Sequence, residues 1–204
     1  MNDTPVERRV EADGVSVRYR EHGRGETVIV LHRDGDRAAN EFEQMLAEKF
    51  RVVALESGAF AARSPQEAGR LLARAVEALA TGKYALVAYR HAAAAALCHA
   101  AEPLPALESL VLLSPSGDFA PAEPRLSLIK VPTLLLVGTK DEPATVTVGR
   151  VCAESIPECY PMLVYDSGPS MASERPAALY EAVSDFLQRR GRFVLERQHS
   201  AISP

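Results

Sequence analysis

The stretch Tyr84-Ala85-Leu86-Val87-Ala88-Tyr89-Arg90-His91-Ala92-Ala93 decides how the chain is read. Residues 84–88 form a short apolar run without polar alternation, the pattern of a strand buried on both faces. An alanine-dense stretch, 91–101, follows almost at once and is helical by propensity. A buried strand turning directly into a helix is the repeating unit of a parallel sheet covered on both sides.

Working outward, the same alternation continues. Upstream, residues 15–19 alternate with polar positions and 28–31 is a continuous β-branched run. A helix is expected over 39–49, with Phe42, Met45 and Leu46 on one face, and Arg51–Leu55 is the next strand. Ser64-Pro65-Gln66-Glu67 offers a serine cap, a proline in the first turn and a glutamate three residues on, so a helix over 64–79 is expected. Downstream, Leu107–Leu113, 133–137 and 161–165 read as strands, and 145–156 and 176–190 as helices. Right-handed crossovers then leave a doubly wound, mostly parallel sheet in three α/β/α layers. Residues 1–190 are expected to form one domain and 191–204 a tail, with a short strand at 193–195.

The 204 residues are 47% hydrophobic and 25% charged, ordinary for a globular domain. With 23 basic and 27 acidic residues the net charge is -4, which gives no reason to expect a nucleic-acid or anionic-membrane partner. The longest strand-like run, 109–113, is far short of a membrane span. Residues 1–9 are polar with two acids, unlike a signal peptide. Cys98, Cys152 and Cys159 have no metal-ligand spacing and read as reduced core thiols, so a cytoplasmic location is expected. No Gly-x-Gly-x-x-Gly or phosphate loop follows a strand, which argues against a flavodoxin-like or nucleotide-binding alternative. No cofactor and no metal are expected.

Over roughly residues 10–190 the chain resembles the α/β-hydrolase family. Leu31-His32 is similar to the strand end that opens the oxyanion loop, and the 84–93 stretch to the strand, nucleophile elbow and helix. Leu134-Leu135-Leu136-Val137-Gly138-Thr139-Lys140-Asp141 resembles the segment delivering the triad acid. Ser167-Gly168-Pro169, followed by Glu174-Arg175-Pro176, resembles the histidine loop. The resemblance implies the family's fold, with only 114–132 where a cap is usually inserted.

It also exposes departures. Where the family has Gly-x-Ser-x-Gly, this chain has Ala88, Tyr89, Arg90, His91 and Ala92. The triad-equivalent positions are therefore Arg90, Asp141 and Pro169, of which Asp141 alone is retained. Arginine stays protonated at any working pH and proline has no side-chain proton to exchange. A serine hydrolase needs a nucleophile and a base within reach of each other. Losing one triad member already leaves only about 10³ to 10⁴ over water. After His32, the family's glycine is Arg33, followed by Asp34 and Asp36, whose charge would oppose an oxyanion.

Arg90 at a helix N-terminus calls for an anion. One reading pairs it internally with Asp141, Asp34 or Asp36. The other gives it, with His32, Arg33, Asp34, His91 and Asp141 around it, to an external carboxylate or phosphate. His32 is expected to hydrogen-bond loop backbone, and His91 to pack or face solvent. Ser114 and Ser116 are expected as turn residues rather than relocated nucleophiles. Three functions stand open: a non-catalytic protein binding a small anionic ligand or a protein partner, an enzyme with relocated groups near Asp141, and a structural domain that forms a homodimer through an uncovered sheet edge.

Overall fold

The computed structural model describes residues 5–32, 40–192 and 201–202. Among the described residues nine strands form one sheet: β1 (Val6–Ala12), β2 (Val15–His22), β3 (Thr27–Leu31), β4 (Arg51–Leu55), β5 (Tyr84–Tyr89), β6 (Leu107–Leu113), β7 (Thr133–Gly138), β8 (Cys159–Val164) and β9 (Ala201–Ile202). Their order is β1-β2-β4-β3-β5-β6-β7-β8-β9. Only the β1–β2 and β2–β4 pairs are antiparallel. The sheet is thus mostly parallel, as expected.

Alternate residues of each central strand enter different cores, which is why these strands read as unbroken apolar runs. Ile29, Leu31, Leu86, Leu110 and Leu135 face α2 (Pro65–Ala78), α3 (Ala92–Ala100) and α4 (Pro143–Ser155). Val28, Val30, Val87, Val111 and Leu136 face α1 (Glu41–Leu46), α5 (Met171–Glu174) and α6 (Pro176–Arg189). The α2 start is the capping box read from the sequence: Ser64 and Glu67 satisfy each other's backbone N–H groups. The 114–132 connection holds only a 3-10 stretch, Glu123–Leu128, and no cap domain covers the sheet among the described residues.

Several boundaries differ from the sequence reading. The helix expected over 39–49 is the short α1, capped by the Asn40 side chain, with turns after Leu46. The helix expected from 145 begins two residues earlier, at Pro143. The strand expected at 161–165 is β8, at Cys159–Val164. β1 was not anticipated. Its residues are mostly exposed because it is an edge strand, so it lacks an apolar signature. The signal that could have found it is Asp13-Gly14: both have positive φ, 48° and 72°, and they join Ala12 and Val15 as a two-residue hairpin turn. The strand expected at 193–195 lies outside the described residues, but the tail segment does supply β9, paired in parallel with Leu163 and Val164.

One buried pair gives the fold a pH dependence. Tyr84 Oη lies 2.7 Å from His99 Nε2, with both side chains buried between α3 and the sheet. Burial pulls the His99 pKa down to about 4. A histidine depressed in the folded state stabilises it above its unfolded pKa, and that contribution is lost as pH falls from about 6.5 toward 4. Denaturant unfolding at pH 7 and pH 5 is expected to differ by about 2 kcal/mol from this residue. His99→Gln, which keeps a polar partner for Tyr84 but does not titrate, is expected to lose that part of the slope.

Candidate functional site at the strand-to-helix elbow

Only Arg90 and His91 separate β5 from α3. Arg90 makes the turn with φ of +46°, a left-handed conformation unusual for any side chain but glycine. Backbone hydrogen bonds hold it there: Arg90 N–H donates to Leu113 O (2.9 Å), and Ser116 N–H donates to Arg90 O (3.2 Å). The small Ala88 and Ala92 allow the tight turn. The strand-to-helix turn therefore forms with alanines on both sides and Arg90 at its apex. Arg90→Gly is expected to raise stability by about 1 kcal/mol, because it removes both the left-handed strain and a cation at a helix N-terminus. Equilibrium urea unfolding checks this.

The internal salt bridge from Arg90 to Asp141 is not formed. Arg90 pairs with no described carboxylate, and its Nε is buried without a hydrogen-bond partner. Asp34 and Asp36, the other expected partners, lie outside the described residues, as does Arg33. Asp141 is bound to its own neighbourhood: Oδ2 accepts from Ser114 Oγ and from Gly138 N–H, both at 2.7 Å. Its Oδ1 is buried and unpartnered. In reaching Asp141, Ser114 also adopts a positive φ, 43°. Among the described residues neither Ser114 nor the buried, unpartnered Ser116 Oγ has an imidazole partner; the group that accepts from Ser114 is the Asp141 carboxylate.

The loop carrying Pro169 sits beside the Asp141 loop. Lys140 N–H donates to Ser167 O at 2.8 Å, while Ser167 Oγ and Gly168 N–H donate to Glu174 Oε2 at 3.0 and 2.7 Å. His91 is exposed, with its ring over Gly117.

His32 was expected to bond loop backbone. Its Nε2 instead lies 3.2 Å from Glu43 Oε2 and 3.5 Å from Arg20 Nη2, and its ring stacks on Tyr89 at 5.9 Å. All three polar residues are buried. Arg20 and Glu43 were missed in sequence because a charge in an alternating strand and another on a short helix look like solvated positions.

A cavity of about 530 Å³ opens beside the elbow, between the first turns of α2 and α3. Its walls include His32, Phe60, Arg63, Ala68, His91 and Ala95. It lies at the C-terminal ends of β3 and β5, where open α/β sheets hold ligands. The cysteines take no part: burial pushes the Cys152 and Cys159 thiols up to about 12 and raises that of Cys98. Among the described residues no group of three His, Cys, Asp or Glu is placed to hold a metal. No described helix is long and apolar enough to cross a membrane.

No protein-family model matches the sequence, and no curated protein does. Solved structures do match. A serine hydrolase involved in carbazole degradation aligns with TM-score 0.77 at 19% identity, over 91% of this chain and 99% of its own. A carboxylesterase from Bacillus subtilis aligns with TM-score 0.75 at 13% identity, over 90% of this chain and 91% of its own. A bromoperoxidase from Bacillus anthracis also gives 0.75 at 13% identity, over 90% of this chain and 100% of its own. The chain therefore has the α/β-hydrolase fold. At such identities the likeness concerns the fold and leaves the chemistry to the site.

Proposed function

We propose that this chain has given up serine-hydrolase chemistry and binds a small anion, a carboxylate or phosphate, at Arg90. The observation that carries this reading is the state of Arg90: a guanidinium held in a left-handed turn at the start of α3, with a buried Nε that no described group satisfies. A residue in a strained conformation that also buries an unsatisfied donor costs stability, and such positions cluster at functional sites. An external anion would satisfy the guanidinium and the helix N-terminus together. Triad chemistry finds no support, since Arg90 and Pro169 can neither attack nor exchange a proton.

Titration with inorganic phosphate and with acetate at constant ionic strength, followed by calorimetry, tests the reading. Wild-type protein should bind at least one of the two. Arg90→Ala should weaken that binding roughly tenfold or more, the loss expected for a charge-assisted hydrogen bond. Equal affinity in the two proteins would refute the assignment.

A further inference from the structure

We propose that the cavity between α2 and α3 binds a compact neutral molecule with an apolar body. This goes beyond the reading of Arg90 and stands apart from it, because Arg90 is not among the residues that line the cavity. The space is not a product of loose packing. Where the two helices meet they are in close contact: a Cβ on Gly69 of α2 would stand 3.0 Å from Ala95 O and 3.1 Å from Cys98 Cβ on α3. That contact fixes the separation of the helices. Beside it, Ala68 on α2 and Ala94 and Ala95 on α3 are too short to fill the gap between them. Leu31 and Phe60 add apolar wall, and about 530 Å³ stays open, the size of a small-molecule site. Helices pinned in this way relax little toward a cavity, so the space waits for an occupant rather than collapsing.

The charges on the lining decide the occupant's class. Arg63 donates to Ala59 O, and Asp118 is exposed with its Oδ1 accepting from Ala120 N–H. His91 is exposed to water, and His32 belongs to the buried cluster with Glu43 and Arg20. Among the described residues, then, every ionisable group on the lining is engaged within the protein or open to solvent. None stands ready to hold an ion. A charge moved into such a space would lose its hydration with nothing to replace it. A neutral apolar molecule loses none and gains by burial.

Indole is a suitable probe, because the chain contains no tryptophan and the emission of bound indole is read without a tryptophan background. Wild-type protein should bind it saturably, with a dissociation constant of about 1 mM or below. Benzamide should displace it. Benzoate, of the same size but charged, should need roughly tenfold or more the concentration at constant ionic strength, whether or not it also binds elsewhere. Ala95→Leu should weaken indole binding roughly tenfold or more by filling the cavity. Ala61→Phe, at an exposed position on the wall, should weaken it in the same direction without touching the core. Absence of saturable indole binding to wild-type protein would overturn the proposal. So would undiminished binding in both filling variants, which would place indole elsewhere. Displacement by benzoate as readily as by benzamide would overturn the neutral occupant. Phosphate or acetate binding at Arg90 is decided separately, by the titrations given for it.

Discussion

Glu43→Ala is expected to destabilise the protein by about 3–5 kcal/mol, the loss that follows when one member of a buried charged cluster is removed. Glu43 is 0% exposed, and the neighbouring His32 and Arg20 are 1% and 3% exposed. Its Oε1 accepts from Asn40 Nδ2 at 2.7 Å and from Tyr89 Oη at 3.5 Å, while Oε2 faces His32. Truncation would leave the Arg20 guanidinium, whose Nε and Nη1 already lack partners, in a low-dielectric layer beneath α1 without the cluster's carboxylate. Glu43→Gln should lose less, because the amide still accepts from Asn40. Replacing all three together, as Arg20→Met, His32→Leu and Glu43→Leu, should recover most of the loss, since an apolar cluster of similar volume carries no desolvation cost. Urea unfolding measures each. A Glu43→Ala penalty below about 1 kcal/mol would mean that the carboxylate is not acting as a buried counter-charge.

Gly138→Ala is expected to be nearly as damaging, at about 3 kcal/mol, the upper range for forcing atoms into a packed site. A Cβ built on Gly138 would stand 2.2 Å from Ser167 O and 2.7 Å from Ser167 C. Both contacts are backbone, so no side-chain rotation relieves them. The chain would have to separate the Asp141 loop from the 166–169 loop and break the bond from Lys140 N–H to Ser167 O. The thermal midpoint and anion affinity should fall together. A fully stable Gly138→Ala would show that the two loops are not tied in this way.

The layered sheet was legible because residues 28–31, 84–88 and 107–113 are apolar on both faces, and only two helical layers can cover such strands. The same pattern search is blind at the edges. β1 is polar because one side of it meets solvent, and β9 is two residues long. At the site, the place of Arg90 in the turn between β5 and α3 and the closeness of the Asp141 loop to the 166–169 loop follow from order along the chain. What they bond to does not. Asp141 turns to Ser114 rather than to Arg90, and His32 turns inward to Glu43 across the sheet layer. Such choices depend on which rotamer reaches which partner in three dimensions, and residue spacing in one dimension carries no record of it.

The proposed loss of serine-hydrolase chemistry requires that no activated nucleophile stand at the elbow or beside it. Incubation with a fluorophosphonate serine-hydrolase probe, followed by intact-mass measurement, tests it most directly. An unmodified mass is expected, because Ser114 donates to Asp141 and no described residue stands as a base beside Ser116. A stoichiometric adduct mapping to either serine would contradict it and make the protein a hydrolase with a relocated nucleophile.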